Sequence, residues 1–191
     1  HIQSICVEQL SQTISIDATT RRNLELNLNL QNNESHTLIS VIDKTATAMG
    51  KRMLRRWLNQ PLRNADLLNQ RYNTIDALLE KDPMGTLQQI LKNITDIERI
   101  LARVVLRSAR PRDLSGLRQT LSLLPNIQQL LNVYQDKKLQ TLKQNISGFE
   151  PLNELLERAI IENPPVVLRD GGVIAAGYDS ELDELRALYH N

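Results

Sequence analysis

The sequence predicts a mainly α fold: a multi-helix bundle with a small β element near the N-terminus and a short strand near 166–175. Two observations carry that prediction. Leucine supplies 33 of 191 residues while aromatics make up only 3% and Gly and Pro number seven each, a mixture that suits aliphatic helix packing better than a turn-rich, aromatic-rich β-sandwich. From Leu38 onward, apolar residues recur three or four apart, which is the spacing of one face of a helix. With 41% hydrophobic and 24% charged residues, the chain has the composition of a folded domain.

The elements follow in order. Ile5 and Val7, Ile14 and Ile16, and then Leu24, Leu26, Leu28 and Leu30 alternate with polar neighbours, so period two predicts half-buried strands there. Asp17 caps a helical turn over 19–22, and 32–35 is a polar loop. Leu38, Val41, Ile42, Met49, Met53, Leu54, Trp57 and Leu58 form a helical run that Pro61 stops. Gly50 lies inside it, so two helices or one kinked helix are expected, with the joint near 47–50. Asn64 caps the next stripe (Leu67, Leu68, Tyr72, Ile75, Leu78, Leu79), which ends at Asp82-Pro83. Leu87, Ile90, Leu91 and Ile94 make another helix. Asp96 caps one carrying Ile97, Ile100, Leu101, Val104 and Val105 on a buried stripe. Pro111 and Asp113 open a helix bearing Leu114, Leu117, Leu121 and Leu124, which Pro125 closes. Shorter helices are expected near 127–131, 139–146 and 152–161. Pro164-Pro165 breaks the pattern, and Val166, Val167 and Leu168 with Asp170-Gly171-Gly172 before Val173 and Ile174 read as a hairpin or a bent strand. Asp179 and Ser180 cap a last helix with Leu182, Leu185 and Leu188. That stripe breaks off at Asn191, and the chain lacks an initiator Met, so a piece of a longer protein is expected.

Composition excludes several functions. A net charge of +1 provides no long-range pull on nucleic acid or anionic lipid. The lone Cys6 cannot make a disulfide scaffold and fits a reducing compartment, the cytoplasm. No apolar run is long enough to span a membrane. Around Gly50-Lys51, Thr45 and Arg52 stand where a phosphate loop needs a glycine and a hydroxyl, and a phosphate site is not expected. His1, His36 and His190 lack metal-ligand spacing. The pairs Glu181/Glu184 and Asp179/Asp183 share a helix face and suit dipole partners better than general acids. The strongest charge feature is Lys51, Arg52, Arg55 and Arg56. These residues line a helix opposite Met53, Leu54, Trp57 and Leu58, and read as a solvated or domain-facing surface more than a phosphate contact. Arg107, Arg110 and Arg112 before Asp113 read as a capped helix start with internal ion pairs.

Six blocks occur in one order along nearly the whole chain: Ile16-Asp17-Ala18-Thr19-Thr20-Arg21-Arg22-Asn23-Leu24-Glu25-Leu26, Leu38-Ile39-Ser40-Val41-Ile42-Asp43, Met49-Gly50-Lys51-Arg52-Met53-Leu54-Arg55-Arg56-Trp57-Leu58, Asp96-Ile97-Glu98-Arg99-Ile100-Leu101-Ala102-Arg103, Ala109-Arg110-Pro111-Arg112-Asp113-Leu114 and Leu168-Arg169-Asp170-Gly171-Gly172-Val173-Ile174. Together they resemble the MutS family of DNA mismatch-repair ATPases, its bacterial members most. The resemblance implies that 1–15 is the end of a connector and 16–191 the first half of the core, or lever, domain, truncated before the clamp. It also implies a structural role, coupling the ATPase to the DNA clamp. For the parent it implies ATP and Mg in a separate ATPase domain, with mismatched double-stranded DNA, a second MutS subunit and MutL as partners. The mismatch-reading motif needs Phe with Glu two places on, whereas Phe149 precedes Glu150 and Pro151. The family's nucleotide loop is absent as well. No catalytic, cofactor-binding or metal-binding residue is therefore carried onto any position. The alternative is a free-standing helical protein-interaction scaffold.

Overall fold

The computed structural model describes residues 13–81 and 84–189, so Cys6, His1, His190 and the predicted strand around Ile5 and Val7 lie outside it. The chain divides into two compact units, His1–Met84 and Gly85–Asn191. Among the described residues no helix is long and apolar enough to cross a membrane.

The first unit holds α1 (Ala18–Asn23), α2 (Leu38–Ile42), α3 (Ala48–Asn59) and α4 (Ala65–Glu80). Local caps set the boundaries: Asp17, Thr37, Thr47 and Asn64 each accept the backbone N–H three residues on, satisfying a donor that the helix leaves orphaned. The run to Leu58 thus resolves into two separate helices, α2 and α3, with 43–47 between them.

The alternation at Leu24, Leu26, Leu28 and Leu30 is not a strand. Leu26 N–H donates to the Arg21 carbonyl and Glu25 N–H to the Arg22 carbonyl, with Glu25 at φ 47°. That pair of bonds is the Schellman ending of α1, and it uses the backbone donors that a ladder would need. Leu26 is buried, while Leu24, Leu28 and Leu30 are exposed. Leu38 and Ile39 N–H donate to the Glu25 and Leu26 carbonyls, fixing this turn to the start of α2, where Thr37 and Ile39 are almost fully buried. Of the N-terminal β element, the described residues show one bridge, Thr13 to Leu62.

The second unit holds α5 (Met84–Lys92), α6 (Ile97–Val105), α7 (Pro111–Leu131), α8 (Lys137–Asn145), α9 (Glu150–Ala159) and α10 (Ser180–Tyr189). Its core joins Ile100, Leu117, Leu121, Leu156, Ala159, Ile160 and Val173. Pro125 does not close α7, which continues to Leu131 and absorbs the separate helix expected at 127–131. A mid-helix proline costs about 3 kcal/mol. Burying Ile127 and Leu131 returns roughly 1.5–3 kcal/mol each, so packing outweighs the lost hydrogen bond. Leu101 is another correction: it is 49% exposed, and Ile100 takes the core position at 4%.

The expected hairpin or strand at 166–175 reduces to a single bridge, Ile160 to Ile174, with Ile161 N–H to the Val173 carbonyl and Ala175 N–H to the Ala159 carbonyl. Residues Leu168–Asp170 form a 3-10 turn. Pro164 and Pro165 have no N–H to give a ladder, and Val166, Val167 and Leu168 are exposed.

Candidate functional site

The basic face of α3 is the strongest charge feature of the sequence, so its pairings decide what it can do. Arg55 Nη2 lies 2.6 Å from Glu34 Oε1, and this hydrogen-bonded guanidinium holds the Glu34 carboxyl below the usual carboxylate range. Lys51 Nζ is 3.7 Å from Asp43 Oδ2. The Asp43 carboxyl is also depressed, first by the Thr45 hydroxyl that donates to it at 2.6 Å. Arg52 and Arg56 have partners as well. The one aromatic ring on the helix, Trp57, already carries a cation, with the Arg71 guanidinium 3.9 Å from its centroid. A stacking platform for a base needs that ring face open. Two of the four cations, Lys51 and Arg55, are therefore paired with carboxylates of their own unit.

Gly50 is explained by the same helix start. Its N–H donates to Thr47 Oγ1 at 2.9 Å, and a Cβ there would lie 3.0 Å from that oxygen and 3.4 Å from Thr45 Cβ. The glycine admits a close cap, and its amide is not offered to a ligand.

The acidic candidates are helix-start groups. Asp179 accepts Leu182 N–H at 3.1 Å. Asp183 accepts Gly177 N–H and pairs with Arg186. Asp113 does hold a helix start together, but its ion-pair partner is Arg103, whose Nε and Nη2 sit 2.8 and 2.5 Å from the two carboxylate oxygens; Arg110 contributes its backbone N–H at 2.9 Å. This fork lowers the Asp113 carboxyl and raises Arg103. His36 is exposed with φ 58°. Among the described residues no three His, Cys, Asp or Glu side chains are grouped to hold a metal ion.

Two structural devices escape sequence reading. Arg118 of α7 donates to the carbonyls of Ile160, Ile161 and Glu162 at 2.7, 3.3 and 3.1 Å, binding the long helix to the bridge after α9. Thr120, fully buried, accepts Thr95 N–H at 3.0 Å and shares a hydroxyl bond of 2.8 Å with Thr95, whose Oγ1 lies 3.0 Å from the Gly116 carbonyl. Gly116 makes room for this: a Cβ there would stand 3.1 Å from Thr95 Cγ2. No local signal reveals either device, because each joins segments more than twenty residues apart. Residues 19–191 match the model of the family described as MutS domain III.

Proposed function

The chain belongs to the MutS family through its domain III, the core domain of a DNA mismatch-repair protein, and from that premise we propose that it is the lever that couples an ATPase to a DNA clamp. The observation that carries the reading is α7. It runs 21 residues without a break, roughly 30 Å at 1.5 Å per residue. Core side chains, the Thr95–Thr120 bonds and the Arg118 brace hold it. Interiors packed at crystal-like density pass displacement on rather than absorb it. A small rotation at one end of such a helix moves the other by several ångströms.

In this reading the chain does no chemistry of its own. Its contribution is stiffness, with ATP and Mg handled by the parent's ATPase domain, and mismatched duplex, a second subunit and MutL engaged by the assembled parent. By itself the chain should neither hydrolyse ATP nor prefer mismatched to matched duplex, and preferential mismatch binding would contradict the proposal. The sharper experiment places Arg118→Met in a MutS-type ATPase carrying this domain. Nucleotide affinity should hold while ATP-triggered release from mismatched DNA slows severalfold. Unchanged release would remove the lever. Replacing Arg55 and Arg56 together by Ala should change duplex affinity less than about twofold, because Arg55 is already held by Glu34; a larger drop with a shallower salt slope would make that face a phosphate contact.

A further inference from the structure

A groove of about 320 Å³ lies in the second unit between α7 and α9. Leu121, Leu124, Pro125, Ile146 and Phe149 give it an apolar lining. Along its edge stand Glu150, Glu154 and Glu157, four and three residues apart, and so on one face of α9. A second hollow of about 410 Å³, lined also by Arg118, shares Ser122 and Glu157 with it.

The charge of this groove is one-sided, because the charged residues of its lining are all glutamates. Its neutral side-chain donor groups each spend a hydrogen within the chain: Ser122 Oγ donates to the Gln119 carbonyl, Gln128 Nε2 to the Ile146 carbonyl, and Asn153 Nδ2 to Glu157 Oε1. Acceptors remain. Pro125 brings no N–H to the Leu121 carbonyl one turn back. The carboxylates of Glu150 and Glu154 carry no ion pair among the described residues. An apolar trough offering acceptors and negative charge is complemented by donors and positive charge around an apolar side chain. Nucleic acid has the wrong sign for such a rim, and a bare metal ion has no use for the apolar lining.

We infer that the α7–α9 groove is a docking site for a Lys/Arg-bearing amphipathic segment of a protein partner. Its apolar side chain seats against Leu124, Pro125 and Phe149, and its cations meet Glu150 and Glu154. This stands apart from the lever reading, and either can fail alone.

The test is fluorescence anisotropy of the intact chain with a labelled, amidated helical peptide bearing Leu on one face and Lys on the other. Saturable binding with Kd below ~100 μM is expected. Glu154→Lys should weaken it about tenfold and Phe149→Ala about threefold, while Glu181→Lys, a charge reversal at an exposed acid of α10, should change it less than twofold. Both Glu154 and Phe149 are solvent-exposed, and thermal melts matching the parent chain confirm that the variants fold. The inference is overturned by no saturation up to ~1 mM, by equal loss in Glu181→Lys, or by equal affinity for a peptide of the same composition with its Leu and Lys positions scrambled.

Discussion

The two compact units are written with similar amphipathic stripes, yet they bury them differently. In the unit up to Met84, α3 and α4 contain no fully buried residue, and Trp57, Leu67, Tyr72, Ile75 and Leu79 all stay two-fifths exposed or more. Burial there concentrates at Leu26, Thr37 and Ile39, where the end of one helix meets the start of another. In the unit from Gly85, α6, α7 and α9 close on a continuous core. Stiffness as argued for the lever therefore belongs to the second unit, because it depends on side chains that touch from several elements. A helical stripe reports that a face is apolar; coverage of that face is a separate, tertiary fact.

Substitutions can break or sharpen this contrast. The largest effect is expected for Leu117→Ala, 7% exposed in the core, at about 2–5 kcal/mol in chemical denaturation. Ile75→Ala, on the half-exposed stripe of α4, should cost less than about 1 kcal/mol, and similar losses at both sites would erase the distinction. Next is Thr120→Val, which nearly preserves shape but removes the acceptor of the Thr95 N–H. A buried donor left unsatisfied should cost about 1–3 kcal/mol, measurable as a shift in urea midpoint with unchanged slope.

A pH titration with one variant tests the second unit by a third route. The Arg103 fork depresses the Asp113 carboxyl in the folded state, so its contribution is fully present above the unfolded carboxylate pKa of about 3.9. It is lost as pH falls below that through the folded value. Asp113→Asn should flatten the acid side of the stability profile below pH ~4, and an unchanged profile would mean that the fork contributes nothing. The smallest effect is expected at Arg107, which ends α6 in the left-handed region at φ 53° and donates its N–H to Val104. Glycine adopts that conformation without the Cβ penalty, so Arg107→Gly should stabilise by about 0.5 kcal/mol; a loss would show that the arginine side chain matters more than its backbone.

How much of this was readable from sequence divides along a physical line. The caps at Asp17, Asn64, Asp96 and Asp179 were readable because each is a short side chain answering an N–H three residues away, an interaction complete within one turn. The passage of α7 through Pro125 was not, because it is decided by the burial of Ile127 and Leu131. The spacing puts both Ile100 and Leu101 on the stripe of α6, and only Ile100 is buried; neighbouring apolar residues of a short helix cannot be ranked without the surface they meet. The leucine alternation at 24–30 mimicked a strand because it straddles a Schellman ending with Glu25, not Gly, in the left-handed position. At the candidate site the cations of α3 were visible. The pairing of Arg55 with Glu34 and of Lys51 with Asp43 depends on a fold that returns the preceding segment to the helix.

The most direct test of the central claim is native-state hydrogen exchange of α7 against α4. If the second unit is the stiff body, α7 amides from Leu117 to Leu131 should open only with global unfolding, at free energies at least about 2 kcal/mol above those of α4. Amides of α7 exchanging as readily as those of α4 would contradict it.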